Sequence, residues 1–151
     1  MTELPRGIRL NNPCNLRHSV ITWAGQSPEQ IDPDFVEFID AESGLRAGMK
    51  ALLNYQLIHG LKTVREIIFR WAPPSDNNDT AAYIADVALR MGVPAQLPIN
   101  LTDANILARL GNAIVRHENG PCPTAPDWYS PSMYLQGAIS AGARAPESVT
   151  S

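Results

Sequence analysis

The sequence predicts a single α+β domain that is mostly helical and carries a small β-hairpin element. The chain has 151 residues, of which 44% are apolar, enough for one core and too few for two domains. From residue 42 onward, apolar residues recur at spacings of three and four, which is typical of helices. Before that point, two short β-prone runs at residues 20–23 and 35–39 flank a turn-rich segment. They predict a hairpin or small sheet between residues 20 and 40.

The chain opens with an irregular, asparagine-rich stretch, RGIRLNNPCNLR, at residues 6–17. Asn11, Asn12 and Asn15 carry short amide side chains that suit turns and equally suit the hydroxyl and acetamido groups of a sugar. Trp23, in the first β-prone run, is either an exposed platform for stacking a sugar ring or a residue of the core or of a lid.

Helices follow in order along the rest of the chain. The first is predicted at residues 44–59, and Thr63 with Glu66 forms a capping box for a second that runs to residue 71. Pro73 and Pro74 end that helix and begin a polar loop.

Asp79 or Thr80 caps the next helix, which carries Tyr83 on its inner face and stops at Gly92. Thr102 is predicted to cap the last long helix, and a short helix is expected from residue 131 to about 142. The predicted domain covers residues 1–142, followed by a flexible tail at 143–151.

Glu118 occupies an unusual place in the last long helix. At about 100° per residue it returns to within roughly 20° of Leu107, and so points inward with the core stripe. It lies in the last turn before Gly120, where burial and the negative end of the helix dipole both disfavour a charged carboxylate. A protonated acid is what a general acid needs. The alternative is a solvated acid in a frayed turn.

Other acids compete for roles in the same chemistry. Glu42 is a rival proton donor, but it precedes a helix, where the dipole favours the charged form. A general acid usually works together with a second catalytic group, often another carboxylate. The sequence leaves four candidates open, one of which, Asp79, is better explained as a helix cap: Glu37, Asp40, Asp76 and Asp79.

Composition argues against several other functions. Charged residues make up 18%, the net charge is −3 and no basic block occurs, so nucleic acid is not an expected partner. No apolar run approaches the 18 or so residues of a membrane span, and the N-terminus lacks the apolar region of a secretory signal. The histidines show no metal-ligand spacing, and no cofactor motif occurs, so neither metal nor cofactor is expected.

The two cysteines, Cys14 and Cys122, each lie beside proline. Either they form a disulfide that ties the asparagine-rich loop to the end of the Glu118 helix, or they are two free thiols. A thiol nucleophile paired with a histidine is a weaker alternative, because neither cysteine opens a helix that would activate it.

Several motifs together resemble a group of small phage virion-associated and endolysin-like proteins. The likeness runs from residue 6 to residue 120, and that group usually has glycine where this chain has Cys14. The motifs that carry it are RGIR at 6–9, NPCNLR at 12–17, GLRA at 44–47, WAPP at 71–74, NDT at 78–80 with Tyr83, and ENG at 118–120.

A second likeness concerns the chemistry. The helix end at residues 113–120 and the Asn11-Asn12 loop resemble, in the opposite chain order, parts of flagellar-type and autolysin-type glucosaminidases. This resemblance implies a lysozyme-like fold and a peptidoglycan glycoside hydrolase, either a glucosaminidase or a muramidase, with Glu118 as the acid. The groove would be lined by Asn11, Asn12, Asn15 and Tyr83, with Trp23 as a stacking residue.

These likenesses also imply where such a protein acts. We expect it to be made in the cytoplasm and to act in the periplasm of a target bacterium, as a phage lysis protein or as an antibacterial toxin of a type VI secretion system. A toxin of that kind requires an immunity protein that blocks the cleft. The alternative function is a non-catalytic phage virion protein that has a structural or glycan-binding role.

Overall fold

The computed structural model describes residues 3–147. Within them the chain forms six α-helices and one short 3-10 helix at Pro74–Asp76. The helices in chain order are α1 (Arg6–Arg9), α2 (Ala41–Leu57), α3 (Val64–Trp71), α4 (Thr80–Met91), α5 (Ala104–Asn119) and α6 (Pro131–Ala141). None of them is long and apolar enough to cross a membrane.

The expected β-hairpin is wrong, and with it the α+β class: residues 3–147 contain no β-strand, and the fold is helical. Between residues 17 and 40 only two isolated antiparallel bridges form, one joining Arg17 to Phe35 and one joining Gln26 to Phe38. The Gln30 side chain bonds to the backbone of Ser27 and Glu37, which a strand ladder would otherwise do. The backbone amides of the second β-prone run bond to several separate segments: Val36 donates to the carbonyl of Leu16, Phe38 to that of Leu10 and Ile39 to that of Gly25. The backbone groups are thus satisfied without a continuous ladder in this described stretch.

The core forms where α2, α5 and α6 pack together, with α4 against α5 and α3 against α4. Each long helix contributes its apolar stripe, as the three-and-four spacing predicts. The largest fully buried side chains of this core include Leu45, Met49, Leu52, Ile67, Ile68, Leu107, Leu110 and Ile114.

Side-chain caps set most helix starts. The Thr63 hydroxyl accepts from the amide of Glu66, which confirms Thr63 as the cap of α3. The Glu66 carboxylate accepts from the amide of Lys62 rather than from that of Thr63, so the second bond of the predicted capping box is displaced by one residue. Asp79 is confirmed as the cap of α4 through the amide of Ala82, and Gly92 ends that helix at φ 70°. The cap of α5 is Asp103 rather than Thr102.

The two ends of the described chain are more ordered than expected. Residues 6–9, predicted as irregular, form α1. At the other end, the Arg144 amide donates to the carbonyl of Thr102, and the Ala104 amide donates to the carbonyl of Arg144. The start of the predicted tail is therefore held against α5, while residues 148–151 lie outside the described part.

Candidate functional site

Glu118 lies in the last turn of α5, on the wall of an open cleft of about 230 Å³. The buried stripe of α5 turns this face of the helix towards the core, while the side chain itself remains half-buried. Gly120 ends the helix at φ 72°, a conformation that favours glycine. The inward direction predicted for Glu118 is therefore what the structure has.

Two side chains from distant segments hold the carboxylate of Glu118. The Asn15 amide donates from Nδ2 to Oε1 at 2.8 Å, and the Tyr83 hydroxyl donates to Oε2 at 2.7 Å. A carboxylate can accept about four hydrogen bonds, so these two bonds leave about two acceptor positions for other partners. The side chain is thus fixed in orientation and still open to a ligand.

Tyr83 comes from α4 and is almost fully buried, with 2% of its surface exposed. Burial, together with the charge and the hydrogen bond of Glu118, raises the pKa of Tyr83 far above its ordinary value. The phenol therefore keeps its proton at any working pH. Its hydroxyl can donate to an ionised Glu118 or accept from a protonated one, so the contact is compatible with both states.

Asn15 reaches Glu118 because its loop folds tightly over α1. The residue has φ 55°, in the left-handed region that asparagine tolerates better than most residues. Its Oδ1 points at the Cα of Gly7, as does Oδ1 of Asn119, whose Nδ2 donates to the carbonyl of Pro13 at 2.8 Å. The end of α5, the asparagine-rich loop and α1 are therefore joined at one point.

The rest of the cleft combines aromatic rings with polar groups. Tyr55 and Trp71 meet edge to face, with ring centroids 6.1 Å apart. The ring of Phe35 lies beneath the guanidinium of Arg17 at 5.2 Å from its centroid. Such rings suit the apolar faces of sugars. The described residues that line the cleft are Cys14, Asn15, Leu16, Arg17, Phe35, Tyr55, Trp71, Ala72, Asp76, Asn78 and Glu118.

Tyr83, expected to line the groove, is buried and does not line the cleft, although it bonds to Glu118. Three other residues that we expected in the groove lie elsewhere. Asn12 is fully buried and bonds through its side chain to the backbone of Leu16 and Val36. Asn11 turns at φ 53° and donates to the carbonyl of Phe38. Trp23 packs on a small second cluster of apolar side chains outside the cleft: Val36, Phe38 and Ala47. All three stabilise the loops around the site instead of lining it.

Of the candidate second carboxylates, Asp76 lines the cleft with Glu118. Asp40 and Asp79 accept from backbone amides at the starts of α2 and α4, so both are helix caps. Glu37 and Glu42 are not among the cleft residues, and Glu42 borders a separate groove beside α6.

Both cysteines are free thiols in the structure, which is the second of the two arrangements that the sequence left open. Cys14 is buried in the cleft wall, and its burial and the nearby charge of Glu118 raise the pKa of its thiol to about 12. A thiol held in its protonated form is a poor nucleophile. Cys14 is therefore a poor candidate for a thiol nucleophile. Hydrogen bonds from Thr124 lower the pKa of Cys122, but Cys122 is not among the described residues that line the cleft. Within residues 3–147 no cluster of three potential metal ligands occurs.

Comparison with known proteins gives one clear relationship. The chain is 36% identical over 126 residues to protein P5 of Pseudoalteromonas phage PM2, and the match covers 82% of this chain and 76% of protein P5. The chain belongs to the family of this phage protein. The phage part of the expected resemblance is thus confirmed, whereas the lysozyme-like part stays a prediction. No protein-family model matches the chain.

Sequence reasoning missed much of the cleft lining. Trp71 and Asn78 belong to motifs that carried the phage resemblance, which was a usable signal. Tyr55 lies in a long helix and carried no such signal. The histidines carry no metal-ligand spacing that would mark them in the sequence, yet His117 contacts Tyr83, a partner of Glu118.

Proposed function

We propose that this protein is a glycoside hydrolase that cleaves the glycan strands of peptidoglycan, with Glu118 as the general acid. The observation that carries this proposal is the anchoring of one helix-end carboxylate by Asn15 and Tyr83 at the wall of an open cleft. A solvent-exposed carboxylate in a frayed last turn would bond to water instead of to two side chains from distant parts of the chain.

The chemistry follows from that arrangement. Glu118 donates its proton to the glycosidic oxygen, the bond from that oxygen to the sugar's anomeric carbon breaks, and positive charge develops on the sugar ring. Tyr83 holds one carboxyl oxygen and Asn15 the other, so the acid does not have to be reoriented during the reaction. The oxygen of a water molecule then bonds to the anomeric carbon, and the proton that the water releases returns to a carboxylate of the cleft, which restores the acid.

Asp76 is the best candidate for the second carboxylate, because it shares the cleft with Glu118. It is exposed and ends the short 3-10 helix that begins at Pro74, where the two adjacent prolines restrict the backbone. In this role it would activate the attacking water or stabilise the charged sugar. Tyr55 and Trp71 would contact the sugar faces, and the amide of Asn78 suits acetamido groups.

The test is the release of reducing ends from purified bacterial sacculi, with Glu118→Gln as the decisive variant. A glutamine can accept from Asn15 and donate to the Tyr83 hydroxyl, so we expect its melting temperature to stay close to that of the wild type. Activity should fall by at least about 100-fold, since a general acid contributes roughly 10²–10⁴-fold.

Glu42→Gln is the matched control, because it makes the same chemical change at the rival acid outside the cleft. It should leave activity intact. Mass spectrometry of the products identifies the bond that is cut, glucosaminyl or muramyl. Wild-type protein that leaves sacculi intact would refute the hydrolase proposal.

Membership of a phage protein family favours delivery with a phage particle or during phage lysis over delivery by a type VI secretion system. In either case the protein would act on the wall in the periplasm of a bacterium. The same membership favours the alternative function, a non-catalytic phage structural or glycan-binding protein. A glycan-binding protein would bind sacculi without cutting them. A purely structural protein would neither bind nor cut them.

A further inference from the structure

A polar network packs against the ring of Tyr83, whose hydroxyl bonds to Glu118. The ring of His117 lies against the ring of Tyr83, with centroids 3.7 Å apart and an angle of 32° between the planes. Nδ1 of His117 is 2.7 Å from Oδ2 of Asp86. The Nε of Arg90 in turn donates to both oxygens of Asp86, each at 3.0 Å.

Helix geometry explains why these groups meet. Tyr83, Asp86 and Arg90 are three and four residues apart, so they share one face of α4. His117 directly precedes Glu118 on α5, which packs against α4. One turn of α5 therefore supplies both the carboxylate that bonds to the Tyr83 hydroxyl and the ring that covers the Tyr83 face.

We propose that His117, held by Asp86, is a positioning residue that fixes the ring of Tyr83 so that its hydroxyl stays on the carboxyl of Glu118. This inference rests on the proposed glycoside hydrolase function and adds a determinant of that site. A tyrosine ring can rotate about its Cα–Cβ and Cβ–Cγ bonds, which moves the hydroxyl. A hydrogen bond weakens steeply as its angle departs from linear. A stacked ring restricts that motion.

Asp86 is well suited to anchor His117. Burial opposes its charged form, but hydrogen bonds from His117 and Arg90 outweigh burial and lower the pKa of Asp86. The carboxylate therefore stays ionised and keeps accepting from the imidazole, which fixes the ring against rotation. The ionisable groups that face His117 are Tyr83 and Asp86, with Arg90 behind Asp86.

A double-mutant cycle on soluble glycan strands tests this role, with His117→Phe, Tyr83→Phe and the two combined. His117→Phe keeps a ring against Tyr83 and removes the bond to Asp86. We expect kcat to fall roughly 10-fold in each single variant, with KM unchanged, from the loss of a hydrogen bond to a charged group or of its alignment. In the combined variant, removal of His117 should cause no further fall, because the hydroxyl through which it acts is already absent.

His18→Phe is the control, since His18 lies on an exposed loop where it bonds to the carbonyl of Asp32. It should leave kcat unchanged. The inference is overturned if His117→Phe retains full kcat, or if its loss recurs in the Tyr83→Phe background, which would show an independent structural effect.

A measurement that needs no activity separates this inference from the proposed function. The carboxyl carbon resonance of Glu118 reports on its hydrogen-bond partners, and His117→Phe should shift it in the same direction as Tyr83→Phe. An unchanged resonance in His117→Phe overturns the positioning role, even in a protein that proves inactive. Inactive wild-type protein by itself overturns only the hydrolase proposal.

Discussion

Gly7 is the point at which α1, the asparagine-rich loop and the end of α5 come closest, and Gly7→Ala tests that arrangement. A Cβ at this position would lie 2.8 Å from Oδ1 of Asn119 and 2.8 Å from the carbonyl oxygen of Asn12, and closer still to Oδ1 of Asn15. Ordinary carbon–oxygen contacts are longer than about 3.3 Å. The added methyl group therefore has to displace at least one of these groups.

Two effects of opposite sign decide the outcome. Alanine is favoured over glycine in a helix by about 1 kcal/mol at most. Overpacking costs about 1–3 kcal/mol, and here one of the crowded atoms belongs to the backbone, which cannot rotate away. We expect a net destabilisation of about 1–2 kcal/mol, which in a chain of this size lowers the melting temperature by roughly 2–8 °C.

Thermal denaturation measures the stability change, and hydrolysis of sacculi measures the effect on the site. If the proposed function holds, Gly7→Ala should lose activity even at temperatures where the variant remains folded, because the methyl group pushes Asn15 away from Glu118. The control is Gly137→Ala, because a Cβ at this position would lie 3.3 Å from its nearest neighbour, the Cβ of Leu45. This variant should change the free energy of unfolding by less than about 1 kcal/mol. A Gly7→Ala protein as stable and as active as the wild type would refute this reasoning.

Three further predictions concern stability and reactivity. In native protein under reducing conditions, a thiol reagent should label Cys122 quickly and Cys14 only after unfolding; equal labelling would contradict the burial of Cys14. Asn12→Ala removes three hydrogen bonds made by a buried side chain and should cost about 3 kcal/mol, measured by urea unfolding, whereas a loss below about 1 kcal/mol would argue against that network. Arg6 holds the pKa of Asp32 well below its usual range, so this pair stabilises the fold above about pH 4 and loses its effect as acid protonates Asp32. The stability gap between wild type and Arg6→Met should therefore shrink from pH 7 to pH 2, and a constant gap would contradict this assignment.

The helices could be predicted because their signals are local. Thr63 and Asp79 each satisfy a backbone amide three residues ahead, and Gly92 takes a positive φ that favours glycine, so each boundary depends on few neighbours. The hairpin could not be predicted reliably, because β-prone residues form strands only where a partner strand and a packing surface are present. Here Asn12 and Gln30 take up backbone groups of the segment instead.

The sequence by itself determined that Glu118 points inward at the end of a helix, because a period of 3.6 residues is a property of the chain alone. Only the tertiary structure decided what Glu118 meets there. Asn11, Asn12 and Asn15 are equivalent in sequence, yet only Asn15 bonds to it, from 103 residues away, and Tyr83 does so from 35 residues away. Those contacts depend on how α1 and α4 pack against α5, and hydrophobic packing of this kind carries no short-range signal in the sequence.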